Sequence, residues 1–219
     1  MNKSAVVLLS GGMDSTTLLY QLISEGWQVW PLTVCYGQRH SREMKSAEAI
    51  CRHLDLPYQP CNLEAVKPLL QGSSQTDNIA VPVGHYADPV MRVTVVPNRN
   101  MILLAVAAAM AISKGASIVA YAAHAGDHTV YPDCRPEFTQ ALEGALRLCH
   151  YDGGIQLYTP FIRKTKAEIV GIGLELGVPY QMTYSCYEGQ ERHCGKCGTC
   201  VERLEAFAAN GIPDPVVYV

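Results

Sequence analysis

The amino-acid sequence predicts an α/β fold, in which a doubly wound, mainly parallel sheet of five strands carries a small C-terminal zinc-binding helical appendage. Two observations support this prediction: short apolar runs alternate with segments of helical periodicity, and four cysteines crowd near the C-terminus. Alternation of strands and helices favours parallel strands that are joined by right-handed crossovers. We expect the sheet and its helices in residues 1–180 and the metal-binding region in residues 181–219.

The individual elements follow from apolar runs, helical spacing and turn residues. A Thr165–Glu168 capping box begins one helix, and Pro136 begins another. The helix over residues 101–110 is apolar on all sides, so we expect it to be buried, with Asn98 or Asn100 as its cap. Residues 71–98 show little periodicity, which is typical of a lid or an insertion. The predicted strands are residues 5–9, 27–34, 58–63, 117–121 and 155–158, and the remaining predicted helices are residues 18–23, 41–54 and a closing helix after Cys200 that ends near Asn210.

The composition suits one globular domain with an appendage. The 219 residues are 48% hydrophobic and 17% charged, which supplies enough apolar material for a buried core. A net charge of −3 argues against direct nucleic-acid binding, because phosphate contacts need a basic surface. No apolar run reaches the roughly 18 residues of a membrane span. Met1, Asn2 and Lys3 lead straight into the first strand, so we expect no signal peptide and a cytoplasmic protein.

A glycine-rich turn follows the first predicted strand. Its sequence is Ser-Gly-Gly-Met-Asp-Ser over residues 10–15, and a helix comes after it. Adjacent glycines let the backbone approach a ligand closely, and the N–H groups at a helix start attract an anion such as phosphate. Ser10, Ser15, Thr16 and Thr17 add hydroxyl donors. No Gly-Lys-Ser/Thr follows the glycines, so the turn is not a Walker A loop.

The cysteine pattern near the C-terminus predicts a structural metal site. The chain has nine cysteines, and without an export signal metal binding or free thiols are favoured over a disulfide framework. Two C-x2-C steps share one cysteine, and four thiolates suit tetrahedral zinc. An iron–sulfur cluster, thiol chemistry and replacement of one cysteine by His193 are the alternatives. The predicted ligands are Cys186, Cys194, Cys197 and Cys200.

Several motifs together identify a family. The Ser-Gly-Gly-x-Asp-Ser turn is similar to the signature of the PP-loop ATP pyrophosphatases. The further motifs are Gln-Arg-His-Ser at 38–41, Val-Pro-x-Arg-Asn at 96–100, Tyr-Pro-Asp-Cys-Arg at 131–135 and the cysteine cluster. In this order they resemble the 7-cyano-7-deazaguanine synthase (QueC) family over nearly the whole chain. The resemblance implies a Rossmann-like fold of the adenine nucleotide alpha hydrolase type.

The resemblance also implies a reaction. Members of this family convert 7-carboxy-7-deazaguanine and ammonia to a nitrile, with ATP cut between the α- and β-phosphates and Mg²⁺ neutralising the phosphates. The carboxylate is adenylated and displaced by ammonia, and the resulting amide is adenylated in turn before AMP leaves. A homodimer is expected. The alternatives are a relative that stops at the amide or joins another amine or a protein, and a PP-loop tRNA-modifying enzyme.

The residues that match the family motifs receive the implied roles. Asp133 is expected to face the deazaguanine, because a carboxylate accepts hydrogen bonds from N1–H and the 2-amino group together, although Arg135 is an alternative internal partner for it. The expected catalytic residues are Asp14, Arg99 and Lys166, Lys166 alternatively being a surface lysine. The expected ATP-binding residues are Leu9, Ser10, Gly11, Gly12, Met13, Asp14, Ser15, Thr16, Thr17, Leu18 and Leu19. The expected substrate-binding residues are Arg39, His124, Asp127, Asp133 and Arg135.

Overall fold

Five parallel strands form one sheet in the computed structural model, which describes residues 3–151 and 153–219. The order across the sheet is β3-β2-β1-β4-β5, and every neighbouring pair is parallel. The predicted sheet is therefore confirmed, whereas the predicted lead into β1 from Met1 and Asn2 lies outside the described residues. The strands are β1 (Ser4–Leu8), β2 (Gln28–Cys35), β3 (Gln59–Asn62), β4 (Ile118–Ala120) and β5 (Gln156–Tyr158).

In the described part of the chain, six α-helices cover the sheet and extend beyond it. One apolar core joins α1, α2 and α5 to one face of the sheet, and a second joins α3 and α4 to the other face. The sheet is thus doubly wound, as predicted. Since β1 lies between β2 and β4, the turn after β1 opens at the point where the strand order reverses, which is the usual ligand site of such sheets. The helices are α1 (Met13–Ser24), α2 (Arg42–His53), α3 (Arg99–Lys114), α4 (Pro136–Leu146), α5 (Lys166–Glu175) and α6 (Gly198–Ala209).

Helix α1 begins earlier than the sequence predicts. Residues Asp14 and Ser15 were expected in the turn, but the helix starts at Met13 and Gly12 is its N-cap. A hydrogen bond from the Thr16 hydroxyl to the Gly12 carbonyl, 2.7 Å long, supports this early start. The consequence is that the Asp14 carboxylate lies in the first helical turn, beside the glycines rather than within the loop.

Helix α3 corrects two predictions. It was expected to be buried all round, but Ala105 and Ala109 are exposed, because only one face of the helix covers the sheet. It was also expected to carry an asparagine cap. The N-cap residue Asn98 adopts a left-handed conformation without a side-chain cap bond, and a carboxylate oxygen of Asp133 instead accepts from the Asn100 backbone N–H at 3.1 Å.

The C-terminal region packs on the sheet domain through α6. Ala206 and Phe207 share an apolar core with Val170 of α5. Arg203 is fully buried, with an ion pair of 2.7 Å between its Nε and Asp214 Oδ2. A buried pair of this kind fixes geometry, because removing either partner leaves an uncompensated charge. The boundary predicted at residue 180 therefore coincides with tight packing, and a division into two domains stays a prediction.

The long segment over residues 71–98 lies against the C-terminal region. It contains a short 3-10 helix (Pro89–Thr94), and Val83 forms an isolated bridge with Cys197. The predicted capping box of Thr165 and Glu168 is present at the start of α5. None of the helices in residues 3–151 and 153–219 has both the length and the apolar character needed to cross a membrane.

Candidate active site and metal centre

A cavity of about 240 Å³ opens at the carboxyl edge of the sheet. It is bounded by the glycine turn, the ends of β2 and β4, the first turns of α3 and α5, and the loop that carries the cysteines. The predicted site residues that line it are Leu9, Ser10, Gly12, Met13, Asp14, Ser15, Arg99, His124, Asp127 and Lys166. The predicted site residues outside its lining are Gly11, Thr16, Thr17, Leu18, Leu19, Arg39, Asp133 and Arg135.

The glycine turn depends on the absence of a side chain at Gly11. Its φ is +89°, and an added Cβ would lie 2.2 Å from the Glu43 carbonyl oxygen. Any other residue would therefore push α2 away from the turn. Within the turn, the hydroxyls of Ser10 and Ser15 are 3.0 Å apart, and the Gly12 N–H donates to the Ser10 hydroxyl at 3.2 Å. These contacts hold two hydroxyls at the cavity wall.

The next four residues of the predicted ATP-binding stretch are turned into the core. Thr16 and Thr17 are fully buried, and the Thr17 hydroxyl donates to the Met13 carbonyl at 2.9 Å. Leu18 and Leu19 pack in the apolar core between α1 and the sheet. Because α1 starts at Met13, this part of the stretch follows the helix away from the cavity, and its contact with ATP stays a prediction.

Lys166 and Asp14 form an ion pair at the cavity wall. The Nζ of Lys166 is 2.6 Å from Asp14 Oδ2 and 3.4 Å from Glu202 Oε2. Burial would raise the pKa of Asp14, but Lys166 and His124 outweigh it and hold that pKa below its ordinary value. Burial would likewise lower the pKa of Lys166, but Asp14 and Glu202 raise it above the ordinary value. Both groups are therefore charged at neutral pH.

The Asp14 carboxylate keeps one oxygen without a protein partner. Its Oδ1 is buried and has no hydrogen bond, while Oδ2 receives the Lys166 ammonium. An ionised oxygen without a protein partner, beside the predicted phosphate-binding turn, is the type of ligand atom that Mg²⁺ prefers, since Mg²⁺ takes one or two carboxylates together with phosphate oxygens. The turn therefore fits a magnesium ion brought in by a nucleotide.

His124 and Asp127 lie together on the loop after β4. His124 Nδ1 accepts from the Gly126 N–H, and Asp127 Oδ2 accepts from the His124 N–H, each at 3.1 Å. The other imidazole nitrogen of His124 is 3.4 Å from Asp127 Oδ1 and 3.8 Å from Asp14 Oδ2. Tyr86 donates to Asp127 at 2.9 Å. The imidazole thus lies between two acidic groups of the cavity lining, Asp14 and Asp127.

Arg99 places a second cation in the cavity. Its Cζ lies 6.0 Å from the centre of the Tyr36 ring and 5.9 Å from that of Tyr131. A guanidinium among aromatic rings keeps its charge and its planar donors, and is well suited to an anionic oxygen. Arg99 therefore gives the tyrosine-lined part of the cavity its own positive charge.

Three of the predicted substrate residues lie outside the cavity lining and make hydrogen bonds within the protein. Asp133 binds the N-terminus of α3 through Asn100. Arg135 is exposed and donates to the His128 carbonyl at 2.8 Å, so it does not pair with Asp133 as the alternative held. Arg39 donates to the Ser74 and Ile79 carbonyls, 3.1 and 2.7 Å away, and so anchors the long segment. Their contacts with a substrate stay predictions.

Other cavity residues escaped the sequence analysis. Glu43, in the first turn of α2, faces Arg99, and burial raises the pKa of its carboxyl to about 7 despite that cation. Tyr86 and Tyr187 also line the cavity. Tyr86 comes from the irregular segment and Tyr187 from the cysteine loop, and neither segment has a periodicity that would predict its position. The sequence contained a weak indication of the position of Glu43, because its helix follows β2, and the carboxyl ends of the strands lie at the cavity.

Cys134 is a packed thiol. It is buried, receives the Asn100 amide at 3.3 Å and lies 3.2 Å from the Tyr121 hydroxyl. Burial raises the pKa of this thiol well above its ordinary value. A nucleophilic cysteine needs the opposite shift, because the thiolate is the reactive form.

The four predicted cysteines meet in one cluster that could hold a metal ion. Their sulfur atoms all lie within 4.8 Å of one another, a spacing that suits tetrahedral coordination by four thiolates. The Ser185 N–H donates to His193 Nε2 at 3.2 Å. The His193 imidazole thus has a hydrogen-bond partner outside the cysteine cluster. Ser185 and Tyr187, beside Cys186, line the cavity, so the loop that carries the cysteine cluster forms part of the cavity wall. The clustered ligands are Cys186, Cys194, Cys197 and Cys200.

Comparison with known proteins shows the family of this chain. The family model described as "Queuosine biosynthesis protein QueC" matches residues 4–211. A 7-cyano-7-deazaguanine synthase from Pseudoalteromonas translucida (strain TAC 125) is 46% identical over 218 residues, with 100% of both chains covered. A protein of the same name from Caldicellulosiruptor bescii is 49% identical over 214 residues, covering 98% of this chain and 96% of the relative.

A solved structure supports the fold independently. NMN synthetase from Francisella tularensis has a TM-score of 0.54 and 13% identity, with 88% of this chain and 70% of that one covered. At this identity the likeness concerns the fold alone. Because the family match spans residues 4–211 and the relatives are nearly half identical over almost their whole length, this chain belongs to the QueC family of queuosine biosynthesis proteins.

Proposed function

We propose that this protein is an ATP-dependent nitrile synthase that converts 7-carboxy-7-deazaguanine and ammonia to 7-cyano-7-deazaguanine. The observation that carries the proposal is that one cavity joins the glycine turn, the Lys166–Asp14 pair and Arg99. This arrangement supports a nucleotide phosphate at the turn and an anionic acceptor near Arg99. The relatives that bear the name of this activity share nearly the full chain.

The first half of the proposed reaction makes the carboxylate reactive. A carboxylate oxygen of the substrate attacks the α-phosphorus of ATP, the bond to the β-phosphate oxygen breaks, and pyrophosphate leaves. Ammonia then attacks the acyl carbon, AMP departs with the bonding electrons, and the nitrogen loses a proton to give the amide. Lys166 and Arg99 supply fixed positive charge for the oxygens that gain electrons. Such preorganised charge contributes a large part of the rate enhancement of many enzymes.

The second half repeats the same geometry. The amide oxygen attacks the α-phosphorus of a second ATP, pyrophosphate leaves, and loss of AMP with two protons from nitrogen leaves the nitrile. The amide oxygen occupies the place of the carboxylate oxygen, so a single set of cations serves both steps. His124, between two carboxylates, is the residue we assign to moving protons at the nitrogen.

Two metals complete the proposal. Mg²⁺ would be held at Asp14 with the ATP phosphates and would neutralise their charge. Zinc would be held by the four clustered cysteines, where it would fix the wall that carries Ser185 and Tyr187. Nine cysteines without a disulfide support a reducing compartment, and we assign the protein to the cytoplasm.

The exposed apolar face of α3 supports a homodimer. Ala105 and Ala109 are exposed on it, and Val106 and Met110 are only half-buried. We propose that a second copy covers this face. Sedimentation equilibrium should give twice the chain mass for the natural protein and the chain mass for the A105E/A109E variant. A natural protein with the single-chain mass would contradict the dimer.

The reaction is tested by its stoichiometry. Incubation with 7-carboxy-7-deazaguanine, ammonium and ATP should give two AMP and two pyrophosphate for each nitrile, measured by mass spectrometry and nucleotide chromatography. Release of ADP and orthophosphate would exclude adenylation. An amide end-point would assign the chain to amide formation, and a conjugate with another amine would assign it to ligation.

A further inference from the structure

A second cavity, of about 350 Å³, lies on the far side of Lys166 from the glycine turn. Lys166 and Tyr86 line both cavities and therefore form the wall between them. The outer part of the second cavity is open to solvent, because His85 and Glu205 are 54% and 55% exposed. Its inner part is closed, since the Lys166 and Glu202 side chains are each only 13% exposed. The second cavity thus leads from solvent to the wall of the active site.

Acidic side chains dominate the charge of this second cavity. Glu202 lines it and does not line the first cavity. Its Oε2 is buried and has no hydrogen bond, although it lies 3.4 Å from Lys166 Nζ. Lys166 is already paired with Asp14 at 2.6 Å, so its charge is compensated from the other side. Glu205 lies at the mouth, 3.4 Å from His85 Nε2.

The Gly126 backbone closes one side of the space at Glu202. A Cβ on Gly126 would lie 2.5 Å from Glu202 Oε1, so the loop backbone runs directly against the carboxylate. A nucleotide or a deazaguanine carboxylate would also be repelled by the two acids at close range. A small cation with several N–H donors satisfies an unpartnered carboxylate oxygen without a clash. Ammonium has that size, charge and donor set.

We propose that the second cavity binds ammonium and admits ammonia to the active site between Lys166 and Tyr86. This inference rests on the ammonia-dependent reaction proposed above. ATP and the acceptor fill the first cavity, so the nitrogen needs a path of its own. Ammonium gives one proton to water in the second cavity, and the resulting ammonia passes the wall. Its lone pair forms the C–N bond while AMP leaves with the electrons of the broken C–O bond.

A plug at the mouth tests this path. Ala209 is exposed and lines the second cavity, whereas Ala208 is exposed on the same helix and does not line it. The variant A209W should raise the KM for ammonium by about fivefold or more, and A208W should leave it unchanged, because a blocked site loses on the order of 1 kcal/mol or more of binding. Equal KM values in A209W and A208W would overturn the proposal.

A second measurement separates this inference from the reaction itself. ATP–pyrophosphate exchange that depends on 7-carboxy-7-deazaguanine, measured without ammonium, reports adenylation alone. It should be the same in A209W, A208W and the natural protein. Absence of exchange in the natural protein contradicts the proposed function, whereas normal exchange with an unchanged ammonium KM in A209W contradicts only the second cavity.

A charge variant covers the case in which A209W does not fold, as judged by circular dichroism. E205Q removes the negative charge at the mouth, and we expect the ammonium KM to rise by about two- to threefold at low ionic strength and less at high salt. An ammonium KM for E205Q equal to that of the natural protein at low salt would then overturn the proposal.

Discussion

The Nζ of Lys166 lies 2.6 Å from Asp14 Oδ2, although the two residues are 152 positions apart in the chain. Each lies in the first turn of its helix, α5 and α1 respectively, and both helices pack on the same face of the sheet. The capping box at Thr165 fixes where α5 begins, and therefore fixes the position of Lys166 relative to the glycine turn. A local sequence signal thus sets a long-range contact at the cavity.

Replacing Lys166 by methionine should abolish activity and also destabilise the protein. The stability loss follows because Asp14 would keep a charge in a largely buried place without its partner, a change that costs about 3 kcal/mol. Urea denaturation measures the stability, and AMP release measures the activity.

The double variant K166M/D14N separates these two effects. Removing both charges should recover the stability that the unpaired Asp14 carboxylate cost, whereas activity should remain lost because both residues belong to the proposed phosphate and Mg²⁺ site. Recovery of AMP release in the double variant would show that Lys166 acts only through its pairing with Asp14.

Replacing Arg99 by glutamine should reduce kcat/KM for the acceptor by about 100-fold, the usual effect of losing one group that stabilises transition-state charge. The reason is that Arg99 is the cation on the tyrosine-lined side of the cavity. Steady-state kinetics of AMP formation measures the change. R163Q is the matched control, since Arg163 is exposed and outside the cavity lining. Equal kinetics for the two variants would remove Arg99 from the site.

The sequence predicted what local patterns determine. The strands, the capping box of α5 and the cysteine spacing each follow from a few neighbouring residues, and each is confirmed. The glycine turn was also predicted from a local pattern. The structure gives the reason for a glycine there, because only glycine tolerates the φ of Gly11 together with the approach of the Glu43 carbonyl.

Residues that enter the cavity from segments without periodicity could not be predicted. Tyr86 and Tyr187 come from segments without periodicity, and their positions depend on how the long segment and the cysteine loop fold over the sheet. The motif around Asp133 predicts a substrate contact, which stays a prediction, but it did not predict the hydrogen bond that Asp133 accepts at the start of α3. A motif reveals which residues cluster in sequence, but tertiary packing decides which of them face the ligand.

Stability should depend on pH through Glu43. Burial raises the pKa of this carboxyl from 4.5 to about 7, so the folded state holds a proton that the unfolded state has already lost. The stability gained from that proton is complete below pH 4.5 and disappears as the pH rises through 7. Between pH 5 and pH 8 the natural protein should therefore lose stability relative to E43Q, on the order of 2 to 3 kcal/mol.

Thermal denaturation at several pH values measures this difference. E48Q is the matched control, because Glu48 lies on the same helix with a half-exposed side chain paired to Arg52. The E48Q variant should follow the natural protein at each pH. Parallel curves for the natural protein and E43Q would contradict a raised pKa at Glu43.

The cysteine cluster should bind one metal ion per chain, and C197S should lose it. Structural metal sites contribute directly to folding, so this variant should unfold at a clearly lower temperature, as should the natural protein after chelation. Metal analysis and thermal denaturation provide the measurements. C149S is the control, since Cys149 is exposed and outside the cluster. A metal-free natural protein of unchanged stability would contradict a structural role.

Two roles can be distinguished for Asp133: capping of helix α3 and contact with the deazaguanine. Asparagine can accept the same hydrogen bond from the Asn100 N–H, so a cap predicts that D133N keeps its stability while D133A loses about 1 kcal/mol. A contact with N1–H and the 2-amino group needs a carboxylate, and predicts a raised acceptor KM in both variants. Because Asp133 lies outside the cavity lining, we expect D133N to keep the natural KM. A clear rise of the acceptor KM in D133N at unchanged stability would instead assign Asp133 to base recognition.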